Sequence, residues 1–267
     1  MTQRLNGLRA LVTGGSAGIG LAAARALIDD GAVVAVASRH PAAAASEVGA
    51  HPVAVDLATP AGPGEAVAGA VEALGGLDIL VNNIGVARIA DWQDVPDAEW
   101  QAAWETNVMS YVRTIRAALP HLRESSSAAI VNVASTSGKR PSVGMPHYSV
   151  TKAAVLSLSR LVADAHAKDG IRCNAVCPGP TRTPAWLGEG GLADQTAARG
   201  GKDRGEVLES VGKGRPIGRM AEAGEIAAVI AFLASPAASY VTGTSVVADG
   251  GLLLMAAIAN QDVKPGR

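Results

Sequence analysis

A tyrosine and a lysine stand four positions apart in "PHYSVTK", residues 146–152, within a chain of 267 residues that holds only three tyrosines. A phenol with its ordinary pKa of about 10 is a poor base at neutral pH, so an enzyme that moves a proton through one needs a cation beside it. Residues i and i+4 of a helix share a face, which lets Lys152 direct its ammonium toward the same site as Tyr148. A unit charge at ~4 Å in an effective dielectric of ~20 is worth about 4 kcal/mol, so the pair predicts a phenol lowered by roughly three pKa units. The bare spacing recurs by chance on helix surfaces. It gains weight from Ser135 in "NVASTSG", which follows an apolar run at the place where open parallel sheets gather their ligands.

A second group of residues points to a phosphate. "LVTGGSAGIGLAAARAL" sets Gly14, Gly18 and Gly20 between an apolar strand and an Ala-rich helix. Glycine there permits a tight turn, lets main-chain N–H groups approach a pyrophosphate and leaves the helix N-terminus free to stabilise negative charge. The lysine of a P-loop is missing, which disfavours a nucleoside triphosphatase. At the end of the next apolar run "VASRH" supplies Ser38 and Arg39, a hydroxyl and a cation where a carboxylate would bind a ribose hydroxyl, and this favours NADP over NAD.

These residues require a scaffold of alternating elements. "RALVT" (9–13), "VVAVA" (33–37), "HPVAV" (51–55), "DILVN" (78–82), "AAIVNVA" (128–134), "IRCNAV" (171–176) and "TSVVA" (244–248) are short apolar runs bounded by Gly, Asp or Pro, and predict seven buried strands. Helical patterns over 19–30, 64–74, 97–119, 148–168 and 222–234 lie between them. The alternation predicts an α/β fold, a seven-stranded parallel sheet covered by helices on both faces in one domain over residues 1–267. Residues 183–216 break the rhythm, with no strand and one short helical pattern near 206–211, and are expected to form a substrate lid.

Composition narrows the function classes. The 23 basic and 24 acidic residues are well mixed, and one Phe in the whole chain is a poor supply of stacking surface, so neither nucleic acid nor an anionic membrane is the expected partner. No apolar run approaches the length of a membrane span and no signal cleavage pattern follows Met1, which predicts a cytoplasmic protein acting on a small molecule. Cys173 and Cys177 lack neighbouring ligands at metal spacing and read as free core thiols, so no metal is expected.

The glycine loop, "VNNIG" (81–85), Asn107 in "ETNVMS", Ser135, Tyr148-x-x-x-Lys152, "VCPGPTRTP" and "YVTGTSVVADGG" together resemble the short-chain dehydrogenase/reductase family, in the family's order and over almost the whole chain. The resemblance implies a Rossmann-type three-layer sandwich and an NAD(P)-dependent oxidoreductase. It makes Tyr148 the general acid or base, Ser135 the holder of the substrate oxygen, Lys152 the holder of the nicotinamide ribose and Asn107 the anchor of a water relay. It implies cofactor contacts from Gly14, Ser16, Gly18, Ile19 and Gly20 in the loop, from Ser38 and Arg39, and from Asp56 and Leu57 around the adenine. Asn83 and Gly85 would lie near the adenosine, with Pro178, Gly179, Thr181 and Thr183 at the nicotinamide end beside Tyr148 and Lys152. The family usually has Ala where Ile84 stands.

For the substrate, a general likeness to 3-oxoacyl reductases points to a 3-oxoacyl thioester or polyketide-like ketone, with Lys139 and Arg140 available to a carrier group. An NAD-dependent alcohol or sugar dehydrogenase is the alternative, and a catalytically silent Rossmann redox sensor is an alternative of another class, disfavoured because Tyr148 and Lys152 are both present. The helices over 97–119 and 148–168 are apolar beyond one stripe, and in the family they pair between subunits, so a homotetramer is expected. The apolar run after Gly251, "LLLMAAIA", is expected to pack on a neighbouring subunit.

Overall fold

The computed structural model describes residues 4–254. The core strands are β1 (Arg9–Thr13), β2 (Val33–Ser38), β3 (His51–Ala54), β4 (Ile79–Asn82), β5 (Ala129–Val133) and β6 (Arg172–Pro178). A short β7 (Thr181–Arg182) pairs only with β8 (Ala221–Glu222), and β9 (Ser245–Ala248) completes the main sheet. The seven strands run parallel in the order β3-β2-β1-β4-β5-β6-β9. All seven expected strands are present, because two-sided apolar runs can satisfy both faces only inside such a sheet.

Alternation along each strand sorts the core into two layers. Ala10 and Val12, Val34 and Val36, Ile79 and Val81, and Val131 and Val133 face one side, where they meet Ala23, Ala24 and Leu27 of α1 (Gly18–Asp29). Leu11, Ala35, Leu80 and Ile130 face the other side and meet Ala66, Val67 and Ala70 of α3 (Gly62–Leu74). The short α2 (Ala42–Val48) precedes α3; its Ala-rich sequence has no apolar stripe from which the sequence alone predicts a helix.

The expected helix over 97–119 is three pieces: α4 (Asp97–Trp104), a π-helical segment Glu105–Met109, and α5 (Ser110–Leu122). α6 (Pro146–His166) is the long helix that starts on a proline, which is tolerated where the N–H has no helical partner. The segment 183–216 carries more helix than its composition predicts: α7 (Pro184–Leu187), α8 (Leu192–Gly200) and α9 (Arg204–Lys213). Asp203 caps α9 by accepting from the N–H groups of Gly205 and Glu206. α10 (Ala223–Ala234) begins after Glu222 in a capping box with Glu225 and buries Ile226, Ala227 and Ile230 against α1.

The chain returns from β3 to β4 across β1, so the direction of winding reverses between β1 and β4. A crevice at the carboxyl ends of these strands is where a doubly wound sheet receives a ligand.

Candidate active site

A cleft of about 950 Å³ opens over these strand ends. Its walls include Gly14, Gly18, Ile19, Asn83, Gly85, Ser135, Tyr148, Lys152, Pro178, Gly179, Thr181 and Thr183, so twelve of the residues singled out from sequence meet around one space. Ser16, Gly20, Ser38, Arg39, Asp56, Leu57 and Asn107 are not in its walls.

The glycine turn is shaped by contacts that a side chain would block. Gly14 and Gly18 have positive φ, and a Cβ on Gly20 would lie 2.3 Å from the Gly14 carbonyl oxygen. Asn83 fixes the turn from the end of β4: its amide donates to the carbonyls of Thr13 at 3.2 Å and Gly14 at 3.1 Å. At the end of β2 the Ser38 hydroxyl is buried with no hydrogen-bond partner, and Arg39 beside it is exposed and takes part in no ion pair among the described residues. A narrow main-chain cradle at a helix N-terminus, an orphaned hydroxyl and an unpaired cation are the donors a phosphorylated dinucleotide needs, and the residues fit such a group. The Asp56 carboxylate accepts from the Ala58 N–H at 3.0 Å, while the Leu57 side chain is fully buried in the α3 layer.

Tyr148 and Lys152 sit one turn apart on α6, whose first turn is braced when Ser149 donates to the Met145 carbonyl at 2.7 Å. Ser135 leaves β5 in extended conformation and its Oγ accepts from the Ser137 N–H at 3.1 Å, starting a short turn. Gly138 in that turn lies against α6, where a Cβ would be 2.7 Å from the Lys152 carbonyl oxygen. The turn and the helix are thereby locked together, which sets Ser135 against Tyr148.

The electrostatics differ from the expectation at the centre. Burial raises the Tyr148 pKa above its ordinary value, and the nearby Ser135 hydroxyl pulls it back only in part. Lys152 is 2 % exposed, and burial lowers its pKa to about 7. Its ammonium is turned onto the Val133 carbonyl at 2.8 Å and the Tyr111 hydroxyl at 3.3 Å, and lies 5.8 Å from the Tyr148 ring centroid. The predicted net lowering of Tyr148 is reversed by burial of the phenol itself, while the Lys152 ammonium is engaged with Val133 and Tyr111.

Asn107, fully buried in the π-helical segment, commits its side chain. Its Oδ1 accepts from the Val86 N–H at 2.8 Å, and its Nδ2 donates to the Val86 carbonyl and the Thr151 hydroxyl, each at 3.0 Å. It clamps the chain after β4 to α6 rather than facing the cleft. Both it and Lys152 border Gly85, where a Cβ would lie 3.2 Å from Lys152 Nζ and 3.4 Å from Asn107 Oδ1.

Sequence reasoning passed over Tyr111. It is fully buried, its hydroxyl is 3.0 Å from the carbonyl oxygens of Ile84 and Val133, and its ring centroid is 5.2 Å from Lys152 Nζ. The available signal was its place one turn beyond Asn107 in a chain with only three tyrosines. Cys173 and Cys177 are free and buried, with burial raising their thiols to about 12 and about 11, so both are inert. Among the described residues no group of His, Cys, Asp or Glu could hold a metal, and no helix is long and apolar enough to cross a membrane.

Comparison with known proteins places the whole chain in a family. Residues 14–253 match the family model described as Enoyl-(Acyl carrier protein) reductase. The uncharacterized oxidoreductase YvrD of Bacillus subtilis is 37% identical over 91% of this chain and 95% of its own. The 3-alpha-(or 20-beta)-hydroxysteroid dehydrogenase of Mycobacterium bovis is 34% identical over 98% of this chain and 95% of its own. The solved L-sorbose reductase of Gluconobacter frateurii, complexed with NADPH and L-sorbose, superposes with a TM-score of 0.86 at 35% identity, covering 95% of this chain and 99% of that one. With its parallel sheet, glycine turn and Ser135, Tyr148 and Lys152 around one cleft, the chain belongs to the short-chain dehydrogenase/reductase family of NAD(P)-using oxidoreductases.

Proposed function

We propose that this protein is an NADP(H)-dependent reductase of ketones, or in reverse a dehydrogenase of secondary alcohols, with Tyr148 as the general acid or base. The convergence of Ser135, Tyr148 and Lys152 on one cleft, beside a main-chain cradle for a pyrophosphate, carries the reading. The bound nicotinamide supplies the hydride in reduction and accepts it in oxidation.

The protein's own groups handle the oxygen and its proton. A substrate carbonyl set between the Ser135 and Tyr148 hydroxyls accepts hydrogen bonds that strengthen as its oxygen becomes an alkoxide. Tyr148, held protonated by burial, donates its proton to that oxygen, so the resting site is set for reduction. Lys152, with a pKa of about 7, exchanges protons readily at neutral pH and restores the one Tyr148 gives up. Asn107 holds Val86 and α6 around Lys152, and in this reading its main chain in the π-helical segment supports the route to solvent.

Ser38 and Arg39 support a 2′-phosphate over a bare ribose hydroxyl. For the substrate, the 3-oxoacyl expectation draws support from Arg140 in the cleft wall, next to the exposed Lys139. Exposed apolar residues on α6 support assembly into a homotetramer. The cytoplasmic location expected from the sequence belongs to this reading.

The test is a panel of ketones, 3-oxoacyl thioesters and sugars with NADPH, read from the absorbance of the reduced nicotinamide. The Tyr148→Phe variant is expected to lose about 10³-fold in kcat while still binding NADPH. Turnover unaffected by that substitution sinks the mechanism.

A further inference from the structure

Among the described residues, the cleft wall holds four cationic side chains, Lys152, Arg140, Arg199 and Arg215, and not one carboxylate. The four are in different situations. Lys152 is engaged with Val133 and Tyr111, Arg199 is paired with Asp91, and Arg140 is exposed.

Arg215 is half-buried just beyond α9, where its N–H donates to the Gly212 carbonyl at 3.1 Å. The next residues clip onto the turn after β9, with the Ile217 N–H donating to the Gly250 carbonyl at 3.2 Å. Among the described residues, the only hydrogen bond made by its guanidinium runs from Nη1 to the adjacent Gly214 carbonyl at 3.1 Å. Its Nε is buried with no partner among those residues. Among the described residues Asp249 is the carboxylate whose field acts on it, and the oxygens of Asp249 already accept from the N–H groups of Gly251 at 2.8 Å and Leu253 at 2.9 Å. A guanidinium partly removed from water with donors left over costs free energy unless a ligand anion completes it.

Its place in the sheet says which ligand. β9 is two strand spacings from β5, about 10 Å at the usual ~4.8 Å, and four spacings from β1, about 19 Å. Ser135 follows β5 and the glycine turn follows β1. The anion that reaches Arg215 therefore belongs to the molecule whose oxygen Ser135 holds, not to the phosphates over the glycine turn.

We propose that Arg215 is a specificity residue for a carboxylate on the substrate, so that the protein acts on oxo acids and the corresponding hydroxy acids. The inference rests on the hydride-transfer reading above for the reaction, and on Arg215 alone for the substrate class. The planar guanidinium matches a carboxylate through two parallel N–H donors, Nε being one of them.

The test uses the full-length protein with NADPH and a series of oxo acids whose carboxylate lies two to six carbons from the ketone, each beside its methyl ester. Wild type is expected to prefer at least one acid over its ester. That preference falls about 30-fold or more in Arg215→Met, through KM rather than kcat, and recovers in part in Arg215→Lys. Calorimetric titration of the same oxo acids into the protein with NADP+, a pair between which no hydride can pass, reads the contact without turnover. Acid binding that needs Arg215 but is never followed by turnover upholds the anion site and sinks the hydride-transfer reading. Reduction of esters and acids alike, equal losses for both in Arg215→Met, or a weakened NADPH affinity in that variant overturns the inference and leaves the reaction standing.

Discussion

Lys152 shows how burial sets the working pH of single residues. Its folded pKa of about 7 lies below the ordinary 10.5, so between those values the unfolded chain binds a proton that the folded one does not. Stability due to this group therefore rises with pH from about 7 to about 10.5, by at most about 1.4 kcal/mol per unit, and is flat below 7. The Lys152→Met variant is expected to lose that slope, so wild type gains on it as pH rises through this window. Denaturant unfolding at stepped pH checks this; parallel curves rule it out. Tyr148 works in the opposite sense, since its raised pKa keeps it protonated: reduction should decline above pH 7 only as Lys152 loses the proton it relays, and oxidation should accelerate toward alkaline pH. At the far end of the cofactor site, Arg39→Ala is expected to raise KM for NADPH about tenfold or more and leave KM for NADH nearly unchanged, consistent with a lost charge-assisted bond. Equal changes for both cofactors would contradict the 2′-phosphate assignment.

Between residues and fold, the turn after β5 and the start of α6 act as one unit. Gly138 is their point of closest approach, so Gly138→Ala must push the turn away from the Lys152 main chain. An expected ~10²-fold loss in kcat, accompanied by about 1–3 kcal/mol of stability, would separate positioning from simple unfolding when kinetics and denaturation are run together. Elements of this kind were the legible part of the sequence. Runs such as "AIVNV" and "ALVT" specify buried strands because no other environment satisfies both faces, and the glycine turn follows from spacing alone. Less legible was what depends on contacts far apart in sequence. Nothing local marks the π-helical segment at Asn107, the Tyr111 hydroxyl against Lys152, or the orphaned Nε of Arg215. The segment 183–216 hid its helices because Gly and charged residues dilute its apolar period, and α8 buries only Leu192 and Ala193. The sign of the Tyr148 shift was missed because spacing gives the direction of a helix face but not the degree of desolvation.

Over the whole molecule, the outer surface is marked by apolar side chains that the described residues do not cover. Val150 and Leu161 of α6 are 49% and 65% exposed, and Phe232 of α10, Tyr240 and Val247 of β9 are exposed as well. Replacing both Val150 and Leu161 with Glu places like charges at the centre of the proposed subunit contact. Sedimentation is expected to show a tetramer in wild type and a smaller species in the double variant. A wild-type monomer at micromolar concentration would refute the assembly.

The order of the strands also governs when the cleft can exist during synthesis. Ala175 of β6 pairs with Ser245 of β9, so β6 remains an open parallel edge while α7, α8 and α9 are being made. Such long-range pairings form slowly and leave unsatisfied main-chain groups exposed in the interval. Arg215 and the turn it leans on come together only when β9 docks. The strands that frame the glycine turn are made first, but α10, which covers α1, follows residues 183–216, so a nascent chain completes the means to hold its cofactor and to choose a substrate together, late in synthesis.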